Sequence, residues 1–302
     1  MLIKRSKVID DSGFEIELDS YNRVVSLAPS NTEILFSLGA DKKLMGVSEF
    51  CNWPMEVNER VINGELKVIG GFVNPDFEAI DKLKPDLILG TLGVQRKAIE
   101  NLRSKGFKVA CFYPKSLQDI FQSIESIGFL LDKEREAKEL IKFILKRFDE
   151  VSKITKRAEI KHFYYELANY KESLVTWGKE HWSKELANLA NLKGIYDDYP
   201  SQFVKFKPEE ILSKEVDFII ARKKYSKIEE IVSREGWSKL KAVKDHRIYL
   251  VDCFTNYSIA YRPSPRILHG LKVLVNIMHK ELKDELSSID LRVNYVADCE
   301  AY

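Results

Sequence analysis

Part of the chain reads Phe72-Val-Asn-Pro-Asp-Phe-Glu-Ala-Ile-Asp-Lys-Leu-Lys-Pro-Asp-Leu-Ile-Leu89, and its second half contains the related stretch Phe203-Val-Lys-Phe-Lys-Pro-Glu-Glu-Ile-Leu-Ser-Lys-Glu-Val-Asp-Phe-Ile-Ile220. Each stretch holds an aromatic residue, then a carboxylate, an apolar pattern of helical length and an aspartate that opens an apolar strand. A unit that recurs in both halves predicts two similar α/β lobes. Two lobes facing each other across a cleft are typical of a binding protein or of a two-domain α/β enzyme.

Strand and helix patterns alternate through both halves of the chain. The runs that predict strands are 23–27, 44–48, 86–89, 107–113, 162–167, 216–220 and 247–252. Helical patterns lie between most of them, and this alternation is typical of parallel sheets with helices on both sides. The sequence therefore predicts the α/β class, with two Rossmann-like lobes whose sheets are mostly parallel.

Several local signals predict how elements begin. Residues 7–18 predict a leading β-hairpin with its turn at Asp-Ser-Gly. The spacing of Ser30 and Glu33 predicts a capping box for the first helix. Asn74 is predicted to cap the next helix, with Pro75 in its first position.

A long helical run without Gly or Pro follows Asp132 and continues to about residue 156. A helix of that length spans about 36 Å, which is enough to bridge two lobes rigidly. The predicted domains are an N-terminal α/β lobe at 1–131, a backbone helix at 132–156, a C-terminal α/β lobe at 157–284 and a tail at 285–302.

The overall composition is that of a globular protein. The 302 residues include 48 basic and 46 acidic side chains, and a net charge of +2 does not favour nucleic acid as a partner. The chain has no apolar run long enough for a transmembrane helix. Its first residues lack the apolar region of a signal peptide, so either a cytoplasmic location or an export signal outside this sequence remains open.

Motifs for catalysis or metal binding are scarce. The sequence has no phosphate-binding loop, dinucleotide fingerprint, nucleophile elbow or zinc-protease motif. Cys111 and Cys253 fall in apolar strand patterns and are predicted to be buried, whereas Cys51 falls in a predicted loop. No cysteine forms a CxxC pair, and the histidines are scattered, so no metal site and no catalytic residue are predicted.

Aromatic residues cluster in the predicted loops that follow strands. In open α/β sheets these loops border the ligand crevice, and flat rings suit a large conjugated ligand. The predicted ligand-binding aromatics are Phe50, Trp53, Phe72, Trp177, Phe203 and Tyr257.

Glu78 and Glu209 hold equivalent places in the repeated stretches, in the first turn of each predicted helix. There a carboxylate complements the helix dipole. The same pair also offers one exposed anion per lobe, which suits docking onto arginines of a partner protein.

The chain resembles the cobalamin-binding substrate-binding proteins of ABC importers, in the helical-backbone class III that also includes siderophore, haem and metal binders. The resemblance extends in order from about residue 22 to 283. The stretches that carry it are 23–33 (RVVSLAPSNTE), 46–54 (GVSEFCNWP), 83–88 (LKPDLI), 176–179 (TWGK) and 262–266 (RPSPR).

The resemblance implies two α/β lobes joined by one long helix, with cobalamin or another corrinoid bound between them and no catalytic cofactor. Phe50, Phe72 and Phe203 fall on ring positions of the relative's ligand site, and Arg262 falls on an arginine of its cleft. Glu78 and Glu209 fall on glutamates that engage the permease dimer of the importer. The implied protein is a non-enzymatic, extracytoplasmic monomer, either periplasmic or membrane-anchored.

Three alternatives remain open at the level of sequence. The same scaffold could bind a ferric siderophore or haem, with Arg262, Lys179 and Lys205 as cationic contacts. A zinc or manganese binder would need a group of histidine and carboxylate ligands. A cytoplasmic corrinoid-handling protein or a two-lobed enzyme would fit the absence of a signal peptide.

Overall fold

The computed structural model describes residues 7–170, 172–223, 225–251 and 262–289. The chain divides into two compact units. Within the described residues, unit 1 holds 7–114 and 118–143, and unit 2 holds 115–117 and 144–289.

Unit 1 is built on a parallel sheet of five strands in the order β5-β4-β3-β6-β7. Its strands are β1 (Lys7–Ile9), β2 (Glu15–Glu17), β3 (Val24–Ser26), β4 (Leu44–Val47), β5 (Lys67–Val68), β6 (Leu87–Thr91) and β7 (Val109–Phe112). The helices that accompany them are α1 (Pro29–Ser37), α2 (Met55–Ile62), α3 (Phe77–Leu83), α4 (Arg96–Ser104) and α5 (Leu117–Leu130), with a 3₁₀ turn at Asp41–Lys43. Strands β1 and β2 form the predicted antiparallel hairpin.

Unit 2 combines a parallel sheet of four strands, in the order β11-β8-β13-β14, with an antiparallel sheet in the order β12-β10-β9. Its strands are β8 (Lys161–Glu166), β9 (Ala168–Tyr170), β10 (Ser173–Trp177), β11 (Leu192–Gly194), β12 (Phe203–Phe206), β13 (Phe218–Arg222) and β14 (Ile248–Val251). Its helices are α7 (Trp182–Leu189), α8 (Ile228–Val232), α9 (Lys241–Lys244), α10 (Ile267–Met278) and α11 (Lys283–Ser287), with 3₁₀ turns at Pro208–Ser213, Trp237–Lys239 and Lys280–Leu282. The predicted fold class, two α/β parts with mostly parallel sheets and one long helix, is confirmed.

The central parallel strands β3, β6, β8 and β13 are mostly buried, as expected where helices cover both faces of a sheet. In unit 1, Val25 and Ile88 from neighbouring strands pack with Ile80 of α3 and Ile99 of α4 in one buried cluster. In unit 2, the equivalent cluster brings Ile219 of β13 together with Tyr164, Phe206 and Trp237.

The repeated aspartates make equivalent hydrogen bonds to the backbone in both units. Asp86 accepts hydrogen bonds from the backbone amides of Asn22 and Arg23, just before β3, while its own amide donates to the carbonyl of Arg23. Asp217 accepts from the amide of His162 at the start of β8, and its own amide donates to the carbonyl of His162. Each aspartate therefore fixes the central strand of its sheet at the amino-terminal end.

Two predicted helix caps are wrong. Helix α1 begins at Pro29 with Ala28 as its N-cap, so Ser30 already has helical backbone and no side chain caps this end. Asp76, not Asn74, caps α3, and its carboxylate accepts from the amides of Glu78 and Ala79. Pro75 does not enter the helix because it forms an isolated bridge with Gly70.

The long helix is α6 (Glu134–Thr155), with 22 residues and a length of about 33 Å. Its buried face includes Ala137, Ile144 and Phe148. Asp132 does not lie in the helix and has φ +58°, so it forms part of the tight turn after α5. The division between the two units falls within α6, between residues 143 and 144. The domain limits at 131, 156 and 284 stay a prediction, and residues 290–302 of the predicted tail lie outside the described residues.

The antiparallel sheet of unit 2 was not predicted. Phe203 begins β12, whereas its counterpart Phe72 lies in a loop. The alternating exposure of residues 203–206 is the ordinary signature of a half-buried strand. The sequence shows this alternation of apolar and polar residues, but a run of only four residues is equally consistent with a loop before a helix.

The Asp217 carboxylate gives unit 2 a stability that depends on pH. Burial opposes its ionisation, but hydrogen bonds from Lys241 and from the His162 amide outweigh burial, so its pKa lies below the usual value. A depressed pKa stabilises the folded state above the unfolded pKa of about 4 and loses this effect as pH falls through the folded pKa. We expect Asp217→Asn to lower the free energy of unfolding by about 2 kcal/mol at pH 7, with a smaller difference from wild type below about pH 4.

Denaturant unfolding of both proteins across this pH range tests the expectation. Asp284→Asn, at an exposed carboxylate in the first turn of α11, is the control and should leave stability nearly unchanged. An Asp217→Asn difference that stays constant from pH 7 to pH 3 would contradict the role given to the carboxylate charge.

Candidate ligand-binding surfaces

In unit 1 the loops that follow the parallel strands all lie at one edge of the sheet, since parallel strands share the direction of their carboxyl ends. These loops are 27–28 after β3, 48–54 after β4, 69–76 after β5, 92–95 after β6 and 113–116 after β7. We call them the carboxyl-end loops. Open α/β sheets bind their ligands at this edge.

Phe50 and Phe72 meet on the carboxyl-end loops. Their ring centroids are 6.4 Å apart and the rings are nearly perpendicular, at 80°. Phe50 is 36% exposed, and Phe72 is half-buried. The two side chains therefore form an aromatic surface that remains partly open to solvent. Val73 and Val94, on the same set of loops, are also exposed and extend its apolar character.

The backbone holds these two loops close together. The amide of Glu49 donates to the carbonyl of Gly70 at 3.0 Å, which joins the Phe50 loop to the Phe72 loop. Gly70 has φ +85°, and a Cβ there would lie 2.7 Å from the amide nitrogen of Asp76. Only glycine fits this turn, because both its backbone conformation and the available space exclude a side chain.

The other predicted residues of this region are buried. Trp53 is 7% exposed, so its ring supports the loop and is almost inaccessible to solvent. Cys51 is also buried, with its sulfur 3.2 Å from the hydroxyl of Ser48. Cys111 is buried in β7 as predicted, and burial raises the pKa of its thiol to about 11. Cys253 lies outside the described residues.

Gln95 belongs to this surface and was not predicted. It is 1% exposed and precedes α4. Its amide oxygen accepts from the amide of Thr91 at 2.8 Å, and its amide nitrogen donates to the carbonyls of Leu27 at 3.0 Å and Phe72 at 2.7 Å. No sequence motif marks such a residue, because its partners come from three separate parts of the chain.

In unit 2, Phe203 lies at the edge of a cluster of rings. It is 48% exposed, and its ring contacts His181 edge-on with centroids 5.3 Å apart. His181 is stacked on Trp177 at 6.0 Å and on Trp182 at 5.4 Å. Trp177 is 1% exposed and packs against Tyr165, so its placement is that of a core residue beneath Phe203.

His181 is held neutral in this cluster. Burial lowers its pKa to about 3. Its Nδ1 accepts from the amide of Ser183, so the imidazole caps helix α7. A buried neutral imidazole whose Nδ1 is occupied in this way serves as packing and as a cap, not as a general base.

The remaining predicted residues have different surroundings. Arg262 is buried at 6% exposure, just before α10. Tyr257 lies outside the described residues. Glu78 and Glu209 are exposed in the first turns of α3 and of the 3₁₀ turn at 208–213, as predicted. Within the described part of the chain, neither carboxylate has an ion-pair or hydrogen-bond partner.

One group of side chains has the composition of a metal site. Ligand atoms of His162, Glu215 and Asp217 lie within 4.8 Å of one another. They are at the amino ends of β8 and β13, opposite the edge that binds ligands in such sheets. The Lys241 ammonium lies 2.5 Å from one oxygen of Asp217, and the other oxygen accepts from the His162 amide. These bonds already explain the position of Asp217, so we assign no metal to the group.

Among the described residues, no helix combines the length and the apolar character that crossing a membrane requires.

Comparison with known proteins identifies the family. The sequence profile of the periplasmic binding protein family matches residues 24–253. An uncharacterised ABC transporter substrate-binding lipoprotein of Bacillus subtilis is 29% identical over 86% of this chain and 80% of its own length. The vitamin B12-binding protein of Vibrio cholerae is 25% identical over 83% of this chain and 86% of its own.

A solved structure from Staphylococcus epidermidis is also similar. It is described as a possible iron-binding periplasmic solute-binding protein, and it is 30% identical with a TM-score of 0.74. The match covers 86% of this chain and all of that one.

The chain belongs to the periplasmic binding protein family. It is a substrate-binding protein of the kind that serves ABC transporters. Members of this family are transport proteins, not catalysts, and work outside the cytoplasm or as anchored lipoproteins.

The contact between Trp177 and Asp197 predicts a second pH dependence. The Asp197 carboxylate accepts from the indole nitrogen of Trp177 and from the amide of Gly194. Burial raises its pKa to about 6. A raised carboxyl pKa means that the folded protein binds a proton more tightly than the unfolded chain, so stability falls as pH rises from about 4 to about 6.

We expect Asp197→Asn to remove this loss. The variant should gain stability relative to wild type on the order of 2 kcal/mol between pH 4 and pH 7, as followed by denaturant unfolding. Asp198→Asn, at the exposed neighbouring carboxylate, is the control and should keep the wild-type slope. Parallel pH profiles for wild type and Asp197→Asn would show that the buried carboxyl does not titrate as described.

Proposed function

We propose that this substrate-binding protein captures cobalamin or a related corrinoid outside the cytoplasm and delivers it to an ABC permease. The observation that carries the proposal is the Phe50–Phe72 pair, because it presents two partly exposed rings from loops at the ligand-binding edge of the sheet. A corrin ring is broad and partly apolar, and ring surfaces bind such ligands by area burial and stacking. Similarity to proteins named for vitamin B12 binding supports the same ligand.

Charge in unit 1 favours a corrinoid over an anionic ligand. The carboxyl-end loops contain two acidic residues, Glu49 and Asp76, and one basic residue, Lys115 in the loop after β7. Burying an anionic siderophore or the propionates of haem beside these residues would require more cationic partners than this one lysine. The amide-bearing periphery of cobalamin can instead hydrogen-bond with backbone groups and polar side chains.

Phe203 is the proposed contribution of unit 2, because it is the exposed member of an otherwise buried ring cluster. Trp177 and Trp53 are buried, so we assign them a supporting role. Arg262 and Tyr257 remain predicted ligand contacts on the basis of the sequence.

A ferric siderophore or haem is the second candidate, and exposed cations in unit 2 favour it. Lys179 and Lys205 are exposed near the ends of β10 and β12 that carry Trp177 and Phe203. The similarity to a possible iron-binding protein also favours this second candidate. Calorimetric titration with cyanocobalamin, haemin and ferric siderophores separates the two candidates.

Loss of either aromatic ring of unit 1 should weaken ligand binding. We expect Phe50→Ala and Phe72→Ala each to lower cyanocobalamin affinity about tenfold, because burial of an aromatic ring against the ligand stabilises the complex by about 1.5 kcal/mol or more. Calorimetry or the visible absorbance of the ligand measures the affinity.

Phe14→Ala is the matched control. Phe14 is 39% exposed, similar to Phe50, but it stacks on Arg103 at the amino end of β7, away from the carboxyl-end loops. Its variant should bind as wild type does. If cyanocobalamin binds wild type and both Phe variants equally well, the aromatic surface of unit 1 is not the ligand site.

We further propose that Glu78 and Glu209 dock onto arginines of the permease dimer. Both carboxylates are exposed in first helical turns, where the geometry leaves them accessible to a partner. Charge-assisted hydrogen bonds from arginine would provide the contact.

The double variant Glu78→Ala, Glu209→Ala should bind ligand with unchanged affinity and fail to support uptake into cells. Glu100→Ala combined with Glu229→Ala removes one exposed helical glutamate from each unit and is the control, with uptake expected to persist. Normal uptake by the Glu78, Glu209 variant would exclude the docking role.

A further inference from the structure

Gln95 is a buried polar side chain that makes three hydrogen bonds to the backbone of the ligand-binding edge. Its partners are the Thr91 amide at the end of β6, the Leu27 carbonyl after β3 and the Phe72 carbonyl in the loop after β5. These bonds connect three of the carboxyl-end loops through one side chain.

The chemistry of this position requires an amide. One atom must accept from an N–H group while a neighbouring atom donates to two carbonyl oxygens, and among uncharged side chains of this length only glutamine does both. A glutamate carboxylate could accept from Thr91 but would face the Leu27 and Phe72 carbonyls without a proton to share. A methionine would fill the space and remove the partner of all three backbone groups, which is costly above all for the buried Leu27 carbonyl.

The surroundings of Gln95 accommodate this arrangement. A Cβ on Gly90 would approach both Ile99 and the oxygen of Gln95, at 3.3 and 3.4 Å, so glycine there keeps the space clear. The carbonyl of Gly90 in turn accepts from the side-chain amide of Asn31 at 2.9 Å. The strand end next to Gln95 is therefore held by a second buried amide.

We infer that Gln95 is a positioning residue for ligand binding, which acts by holding the Phe72 backbone so that its ring meets Phe50 at the sheet edge. The inference rests on the proposed function, since Phe72 is a ligand contact only if the aromatic surface binds ligand. Gln95 itself is buried and does not contact the ligand.

The first test compares Gln95→Met with Arg23→Met. Both replace a side chain that donates to two backbone carbonyls of unit 1, but Arg23 acts on Leu83 and Lys84 at the end of α3, away from the aromatic surface. Cyanocobalamin affinity should fall about tenfold in Gln95→Met and remain at the wild-type value in Arg23→Met. Equal losses of affinity in the two variants would mean that Gln95 matters only for general stability, and the inference would fail.

Gln95→Glu provides a readout that a purely structural role would not produce. When protonated, the new side chain donates one hydrogen bond to a carbonyl and still accepts from Thr91, whereas the ionised form repels both carbonyl oxygens. Its affinity for cyanocobalamin should therefore be weak at pH 7.5 and recover several-fold towards pH 5, while the wild-type profile stays flat by comparison. A Gln95→Glu profile parallel to the wild type would overturn the inference.

Hydrogen exchange of the ligand-free protein separates this inference from the proposed function. In Gln95→Met the segment 69–76 and the amide of Thr91 should exchange faster than in wild type, with the strands of unit 2 unchanged. If no compound in the ligand panel binds wild type, the proposed function fails while exchange still tests the positioning role. Unchanged exchange in the segment 69–76 would overturn the role of Gln95 whatever the ligand is.

Discussion

The rest of each unit depends on one contact, in which an aspartate carboxylate holds the amino end of the central parallel strand. Asp86 serves β3 and Asp217 serves β8 in this way. A parallel sheet has no tight turn to set its register. A side chain that hydrogen-bonds the first residues of a strand therefore helps to fix which residues lie at the carboxyl end of that strand. The loops that carry Phe50 and Phe72 follow from that register, because they begin where β4 and β5 stop.

The candidate ligand surface of unit 1 is consequently built from backbone as much as from side chains. Glu49 and Gly70 join two loops through a main-chain hydrogen bond, and Gln95 joins three through its amide. Such a framework positions two rings without burying them fully. A partly exposed aromatic pair with little conformational freedom is suited to bind a large rigid ligand, because binding then costs little side-chain and loop entropy.

Much of the fold could be predicted because its signals are local. Apolar runs of strand length and the repeated aspartates can be recognised within short stretches of sequence. Both correctly predicted two α/β parts. The first helix was assigned the wrong cap because Pro29, at the first helical position, moves the start of α1 ahead of Ser30. The antiparallel sheet was missed because β12 has only four residues and pairs with a strand almost thirty positions earlier.

The sequence alone determined the class of fold, the family and the places where aromatic residues follow strands, since periodicity and motif order are properties of the chain itself. Only the tertiary structure decided which of those rings face solvent: Phe50 and Phe203 remain exposed, whereas Trp53 and Trp177 are buried. It also revealed Gln95, whose partner Leu27 is 68 residues away in the chain. Burial and hydrogen-bond partnership depend on residues brought together by packing, and no local pattern records them.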